Sequence, residues 1–185
     1  DHAWLAETTD SASTRSVALS RNDVSGSYYT SVRCVGTCVN ATGTVYLAQW
    51  ESDADDQDRT DLYVSTYIGG VFASLSDTVA TDWDSNNLCV PSMVEFGGDP
   101  YVAYTVANET DYTKHVYVKR WTGAAWELVG GGPVTALSAS DHYDSTEPNL
   151  IVADGKLRIA WAEAGQYDAA AIFVAYYDVG TTNWV

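Results

Sequence analysis

Apolar and polar positions alternate along most of this chain in short runs, each closed by glycine, asparagine or aspartate. "TVYLAQW" from Thr44, "PYVAYTV" from Pro100 and "KLRIAWAE" from Lys156 share one pattern. Such spacing predicts strands with side chains on two opposed faces, and no stretch carries the 3.6-residue period of a helix. A shorter apolar run precedes each of them, "TCVNAT", "SMVEF" and "NLIVAD", and the joints fall at Gly43, Gly98 and Gly155. Glycine adopts positive φ without steric cost, so each pair reads as an antiparallel hairpin.

The hairpins belong to a longer repeat. Gly36, Pro91 and Pro148 open three copies, the joint glycines follow seven residues later, and Ala48, Ala103 and Ala160 follow twelve residues after the opening. Next come Val64, Val118 and Val174, each followed three residues on by an aromatic, Tyr67, Trp121 and Tyr177. A turn glycine comes after (Gly69, Gly123, Gly180), then a second aromatic: Phe72, Trp126, Trp184. These rings are expected to fill the wedge between neighbouring sheets. Val64 and Val118 lie 54 residues apart, Val118 and Val174 56 apart, and Leu19 in a fainter first copy precedes Val64 by 45. Four short strands at such a period describe the blade of a β-propeller.

The expected fold is therefore all-β, a single propeller domain or propeller segment over residues 1–185, with four-stranded antiparallel blades near 1–33, 36–75, 91–130 and 148–185. The first copy opens on "HAWLAET", which matches a second strand, and continues with "SVALSR" and "SYYTSV", so its innermost strand is missing. Three explanations stay open: a portion of a longer propeller, a strand donated by a neighbouring subunit, or a different register in the first blade. Donation that does not close on itself would propagate into a filament. The chain opens on Asp1 rather than Met and is expected to be processed, excised or part of a longer polypeptide.

Composition agrees with sheets. Thr, Val and Tyr dominate over Leu, Glu and Lys, and the chain holds 13 Tyr, seven Trp and three Phe. Acidic residues number 25 against nine Lys and Arg, a formal charge of −16 that repels phosphate backbones and argues against a nucleic-acid partner. No apolar run is long enough for a membrane span. The acidic surface and the sequons at Asn40 and Asn108 fit an extracellular or cell-surface glycoprotein.

The segments Pro91 to Ala103 with Val116 to Trp126, and Pro148 to Trp161 with Ile172 to Trp184, resemble the repeats of sialidase-like secreted propellers, as Gly36 to Trp50 does more weakly. Those repeats read "P-x-L-x-x-x-x-G-x-x-Y-V-A-W" followed by "I-Y-V-x-x-W-x-G-x-x-W". The resemblance implies a propeller fold and, for activity, a glycosidase, a lectin or a purely structural surface protein. The aspartate box of true sialidases, Ser-x-Asp-x-Gly-x-x-Trp, is absent from this sequence.

Candidate chemistry is sparse. Asp53, Asp55, Asp56, Asp58 and Asp61 crowd the loop after the second strand of the second blade, where alternating oxygens can wrap a calcium ion or serve as a solvated loop. No other cofactor is expected. Asp84-Ser85 and Asp144-Ser145 recur before two inner strands, where turn capping is the simpler reading. Trp50, Trp83 and Tyr143 are the aromatics that could offer a ring to a glycan if their faces stand open. Glu51 and Glu163 end second strands, yet neither has a definite partner for glycoside hydrolysis, and the six arginines are scattered rather than gathered around a carboxylate. Of the three cysteines, Cys34, Cys38 and Cys89, an oxidising compartment would pair two, Cys34–Cys38 by proximity or Cys34–Cys89 by symmetry.

Two function classes follow: a non-catalytic extracellular module, structural or adhesive, joined to copies of itself or to a neighbouring propeller segment; or a carbohydrate-binding propeller, lectin or hydrolase. The sequence favours the first.

Overall fold

The computed structural model describes residues 4–8, 14–18, 32–52, 59–68, 71–75, 78–82, 89–107, 113–134, 144–164 and 171–185. Among them all regular structure is β, in fifteen strands and four antiparallel sheets. Sheet I pairs β1 (Trp4–Thr8) with β2 (Thr14–Ala18). Sheet II runs β3 (Val32–Val39), β4 (Val45–Ser52), β5 (Thr60–Ile68) and β6 (Val71–Ser74), with β7 (Ala80–Asp82) also on β5. Sheet III is β8 (Ser92–Phe96), β9 (Asp99–Ala107), β10 (Lys114–Trp121) and β11 (Trp126–Leu128); sheet IV is β12 (Asp144–Ala153), β13 (Lys156–Ala164), β14 (Ala171–Asp178) and β15 (Asn183–Trp184).

The joints behave as the glycine register predicts. Gly43, Gly98 and Gly155 all have positive φ, and the pairs Gly97–Gly98 and Asp154–Gly155 both do, the two-residue turn whose twist matches that of its strands. The repeated aromatics are cross-strand partners at the outer hairpins. Tyr67 pairs with Phe72, Trp121 with Trp126 and Tyr177 with Trp184, and the rings of the last two pairs lie 5.6 and 5.4 Å apart. A C–D hairpin of this kind is held by ring contact as well as by its ladder.

Burial shows how the sheets stack. In β9 every residue from Tyr101 to Thr105 is buried, as a strand covered on both faces must be, whereas β13 alternates between buried and half-buried from Leu157 to Ala164. Ala48, Trp50, Leu62 and Val64 of sheet II close against Met93, Val102 and Tyr104 of sheet III. On its other face, sheet III presents Tyr101, Ala103, Val116 and Val118 to Leu157, Ile159 and Trp161 of sheet IV. A small or β-branched floor thus receives the rings of the next sheet, each such side chain contributing about 1.5–3 kcal/mol. Lys119 reaches into the first interface, where its ammonium donates to the Val79 carbonyl and lies 5.9 Å from the Tyr104 ring centre. Burial there pulls its pKa below the usual lysine value.

β3, β8 and β12 each end their sheet and lie side by side, so the sheets fan out from them as propeller blades. Gly36 abuts Pro91 so closely that a Cβ would stand 2.0 Å from the Pro91 carbonyl oxygen. The Leu150 N–H donates to Ser92 Oγ at 2.8 Å, linking the next two inner strands.

Three details differ from the sequence expectation. β3 begins at Val32, four residues before Gly36, so Val32 belongs to sheet II rather than to a last strand of the first blade; residues 19–31 lie outside the described set. The fourth strand of sheet II is split, because β6 pairs with the C-terminal part of β5 and β7 with its N-terminal part. Sheet III repeats this split: the Val129 N–H donates to the Val118 carbonyl and, after a glycine bend, the Val134 N–H donates to the Val116 carbonyl. In sheet IV the left-handed turn residue is Thr182 (φ 57) rather than Gly180.

Gly130 starts the bend in sheet III with φ 84, and a Cβ there would meet the Trp184 indole at 2.6 Å. Gly130→Ala should therefore lower the unfolding free energy by about 2–4 kcal/mol in urea titration. Gly131→Ala, equally left-handed but with open space around it, should cost only about 1–2 kcal/mol. Thr182→Gly should raise stability by about 1 kcal/mol, since it removes a β-branched side chain from a left-handed site.

Candidate functional site

Where the three inner strands converge, the same register positions of successive blades face one another. Val35, Val90 and Glu147 are aligned, as are Gly36, Pro91 and Pro148, then Thr37, Ser92 and Asn149. Together with Cys89 and Met93, most of these line an axial cavity of about 580 Å³, within the size range of small-ligand sites. Among the described residues its polar side chains are two hydroxyls, an amide, the Cys89 thiol and one carboxylate.

That carboxylate is unusual in its backbone. β12 and β13 slip register between Thr146 and Asn149, so Glu147 and Pro148 form a bulge. The bulge turns Glu147 into a left-handed conformation, φ 53, and leaves its side chain exposed and without a hydrogen-bond or ion-pair partner among the described residues. A non-glycine residue in that region costs on the order of 1–2 kcal/mol, and bulges that re-aim a side chain concentrate beside functional sites. β3 carries its own irregularity between Arg33 and Val35, at the equivalent place in sheet II.

Among the described residues, four other carboxylates near the blade ends are engaged. Glu163 is buried and accepts a bond from Ser145 Oγ at 3.0 Å. Glu51 is buried and bonded by the Gln49 amide. Asp144 is part of β12 and accepts the Lys114 N–H of sheet III at 2.8 Å, so it ties two blades together rather than capping a turn. Asp61 lies within β5, buried among Thr81 Oγ1 (2.6 Å), Tyr63 OH (3.3 Å) and the Arg59 guanidinium (3.1 Å). These are structural acids. No cluster of metal-binding side chains occurs among the described residues, and Asp53, Asp55, Asp56 and Asp58 lie outside them.

Trp50 is corrected from a candidate glycan platform to a core residue: it is 0% exposed and meets Tyr104 edge-on at 6.5 Å. Its ring faces sheet III, which the sequence pattern could not reveal. Trp83 and Tyr143 lie outside the described residues, as does Asn108. Asn40 sits in the exposed β3–β4 turn, where its Oδ1 accepts the Thr44 N–H at 2.8 Å and the Thr42 hydroxyl at 2.8 Å. Cys38 and Cys89 carry free thiols here, and the side chain of Cys34, the third cysteine, lies outside the described set. Sequence reasoning missed Glu147; the signal available was its place one residue before Pro148 at a blade opening.

A second cavity, of about 480 Å³, opens between the outer hairpins of sheets III and IV beside Tyr101 and Tyr177. There the Arg120 guanidinium already pairs with Glu127 at 3.2 Å, whereas Glu147 in the axial cavity has no such partner.

Compared with solved structures, the chain is similar to the α-L-arabinofuranosidase Arb93A of Fusarium graminearum in complex with an iminosugar inhibitor, with a TM-score of 0.56 and 15% identity over 83% of this chain and 47% of that one. It is also similar to levansucrases of B. megaterium (TM-score 0.55, 10% identity, 84% and 55% coverage) and B. subtilis (0.52, 12%, 77% and 43%). These likenesses support the propeller fold, and the chain spans about half the length of the structures it matches. No family profile and no curated protein sequence matches it.

The Cys38 thiol gives a chemical check on the inner-strand packing. Burial, reinforced by the Glu95 carboxylate, pushes its pKa up to about 11. Alkylation of Cys38 in a Cys34→Ser, Cys89→Ser background should therefore be slow at pH 8, where only about one thiol in 1,000 is ionised, and should climb until about pH 11. A profile that levels off near pH 9 would contradict this packing.

Proposed function

We propose that the axial cavity binds a saccharide, with Glu147 as its anionic anchor. The observation that carries this reading is the exposed, unpartnered carboxylate held left-handed on a bulge where Thr37, Ser92 and Asn149 converge. A sugar is a polyol that offers donors and acceptors in turn. Hydroxyl, amide and carboxylate groups at one register meet that demand, and hydrogen bonds to a charged partner are the stronger kind. The similar propellers include an arabinofuranosidase solved with arabinobiose and a levansucrase complexed with sucrose, which supports the same ligand class.

Of the two classes that the sequence leaves open, this reading takes the carbohydrate-binding one over the purely structural module. It stops at binding, because glycoside hydrolysis uses a pair of carboxylates and Glu147 is the one carboxylate lining this cavity among the described residues.

Titration calorimetry with neutral arabino- and fructo-oligosaccharides should detect binding that weakens about 10-fold or more in Glu147→Gln, which keeps the side-chain shape. Glu147→Gly should abolish the binding and raise the unfolding free energy by about 1 kcal/mol, because the backbone strain goes with the side chain. Equal affinity for wild type and Glu147→Gln, or no binding at millimolar saccharide, would refute the proposal.

A further inference from the structure

The hydrogen bonding around the axial cavity restricts what a ligand there must offer. Among the described residues the side chains of Thr37, Glu147 and Asn149 have no hydrogen-bond partner. Ser92 Oγ accepts the Leu150 N–H at 2.8 Å, so its hydroxyl proton is left to donate and calls for an oxygen on the ligand. Glu147, once ionised, can only accept, and it calls for a donor. The charge of the cavity is as one-sided. No Lys or Arg lines it among the described residues. Lys119 donates to the Val79 carbonyl, Arg59, Arg120 and Arg158 are paired with Asp61, Glu127 and Asp154, and Lys156 lies over the Tyr176 ring at 4.0 Å. The side chains of Arg15, Arg21 and Arg33 lie outside the described set. A formal charge of −16 on the whole chain deepens the negative potential at a concave site of this kind.

We infer that the ligand of this cavity is a cationic amino sugar, with its ammonium on Glu147 and its hydroxyl or ring oxygens on Thr37, Ser92 and Asn149. A single carboxylate is a poor host for a bare divalent cation, which takes six or more oxygen ligands, and no cluster of metal-binding side chains occurs among the described residues. Pro91, Met93 and Pro148 give the cavity apolar walls that suit the carbon skeleton of an organic cation. A neutral sugar hydroxyl also donates to a carboxylate, but an ammonium does so with both partners ionised, the stronger form of the bond. The inference rests on the saccharide reading and narrows it to one class of sugar.

The β-1,4-linked glucosamine tetrasaccharide and cellotetraose share one shape and differ in carrying an ammonium or a hydroxyl at the second carbon of each ring. In titration calorimetry at about pH 6, where an amine and a carboxylate are both charged, the amino chain should bind about 10-fold tighter at low salt. That margin should shrink as salt is added. Glu147→Gln should erase it, whereas Glu127→Gln, which removes a carboxylate paired with Arg120 at the second cavity, should keep it. Three results would each overturn the inference and leave a neutral-saccharide site standing: equal affinity for the two chains, an oligo-uronate bound more tightly than cellotetraose, or a margin that survives Glu147→Gln and so comes from overall charge. Failure of both chains and of the neutral arabino- and fructo-oligosaccharides to bind removes the saccharide reading and this inference with it.

Discussion

The structure depends on one repeated contact, in which a floor of alanine and β-branched residues on one sheet receives the rings of the next. Ala48 and Val64 lie in the cluster that holds Tyr104, and Ala103 and Val118 in the one that holds Trp161. Both sides matter, because a twisted sheet can approach another closely only if one surface is shallow and the other deep. The repeat satisfies this by placing alanine in the second strand and valine opposite it in the third. Each sheet is then a template for its neighbour.

Radiating sheets force their inner strands together, and the axial cavity is a consequence of that geometry. Gly36 tolerates the Pro91 carbonyl because it has no side chain, and the Leu150 N–H finds Ser92 Oγ. With these contacts made, the register positions around the blade openings look across a common space. Regular pleating would turn every second residue into a sheet interface. The bulge at Glu147 and Pro148 breaks that rule at one point and frees a carboxylate for the cavity. Elsewhere on the rim, acids such as Asp61, Asp144 and Glu163 are consumed by hydrogen bonds that join strands and blades. Strain at Glu147 against satisfaction at Asp61, Asp144 and Glu163 is what separates the two kinds of carboxylate.

Strands, hairpins and the repeat were legible because each rests on local physics. Period-two alternation follows from the pleat, the turn glycines from the steric map of φ, and the paired aromatics from the closeness of cross-strand neighbours. The site was far less legible. Trp50 reads as an aromatic next to an acidic loop, and only the approach of sheet III turns it inward. Glu147 reads as one more acid before a proline, and only the register slip between Thr146 and Asn149 makes it distinct.

Val64, Val118 and Val174 show the division most plainly. By itself the sequence determined that all three occupy the same place in the same kind of sheet, because residue spacing encodes pleat, pairing and turn. It could not decide that two are sealed and the third lies open, since burial belongs to the neighbouring sheet and not to the residue. Only the tertiary structure, through the order in which the sheets stack, settles which apolar faces are core and which are left at the surface.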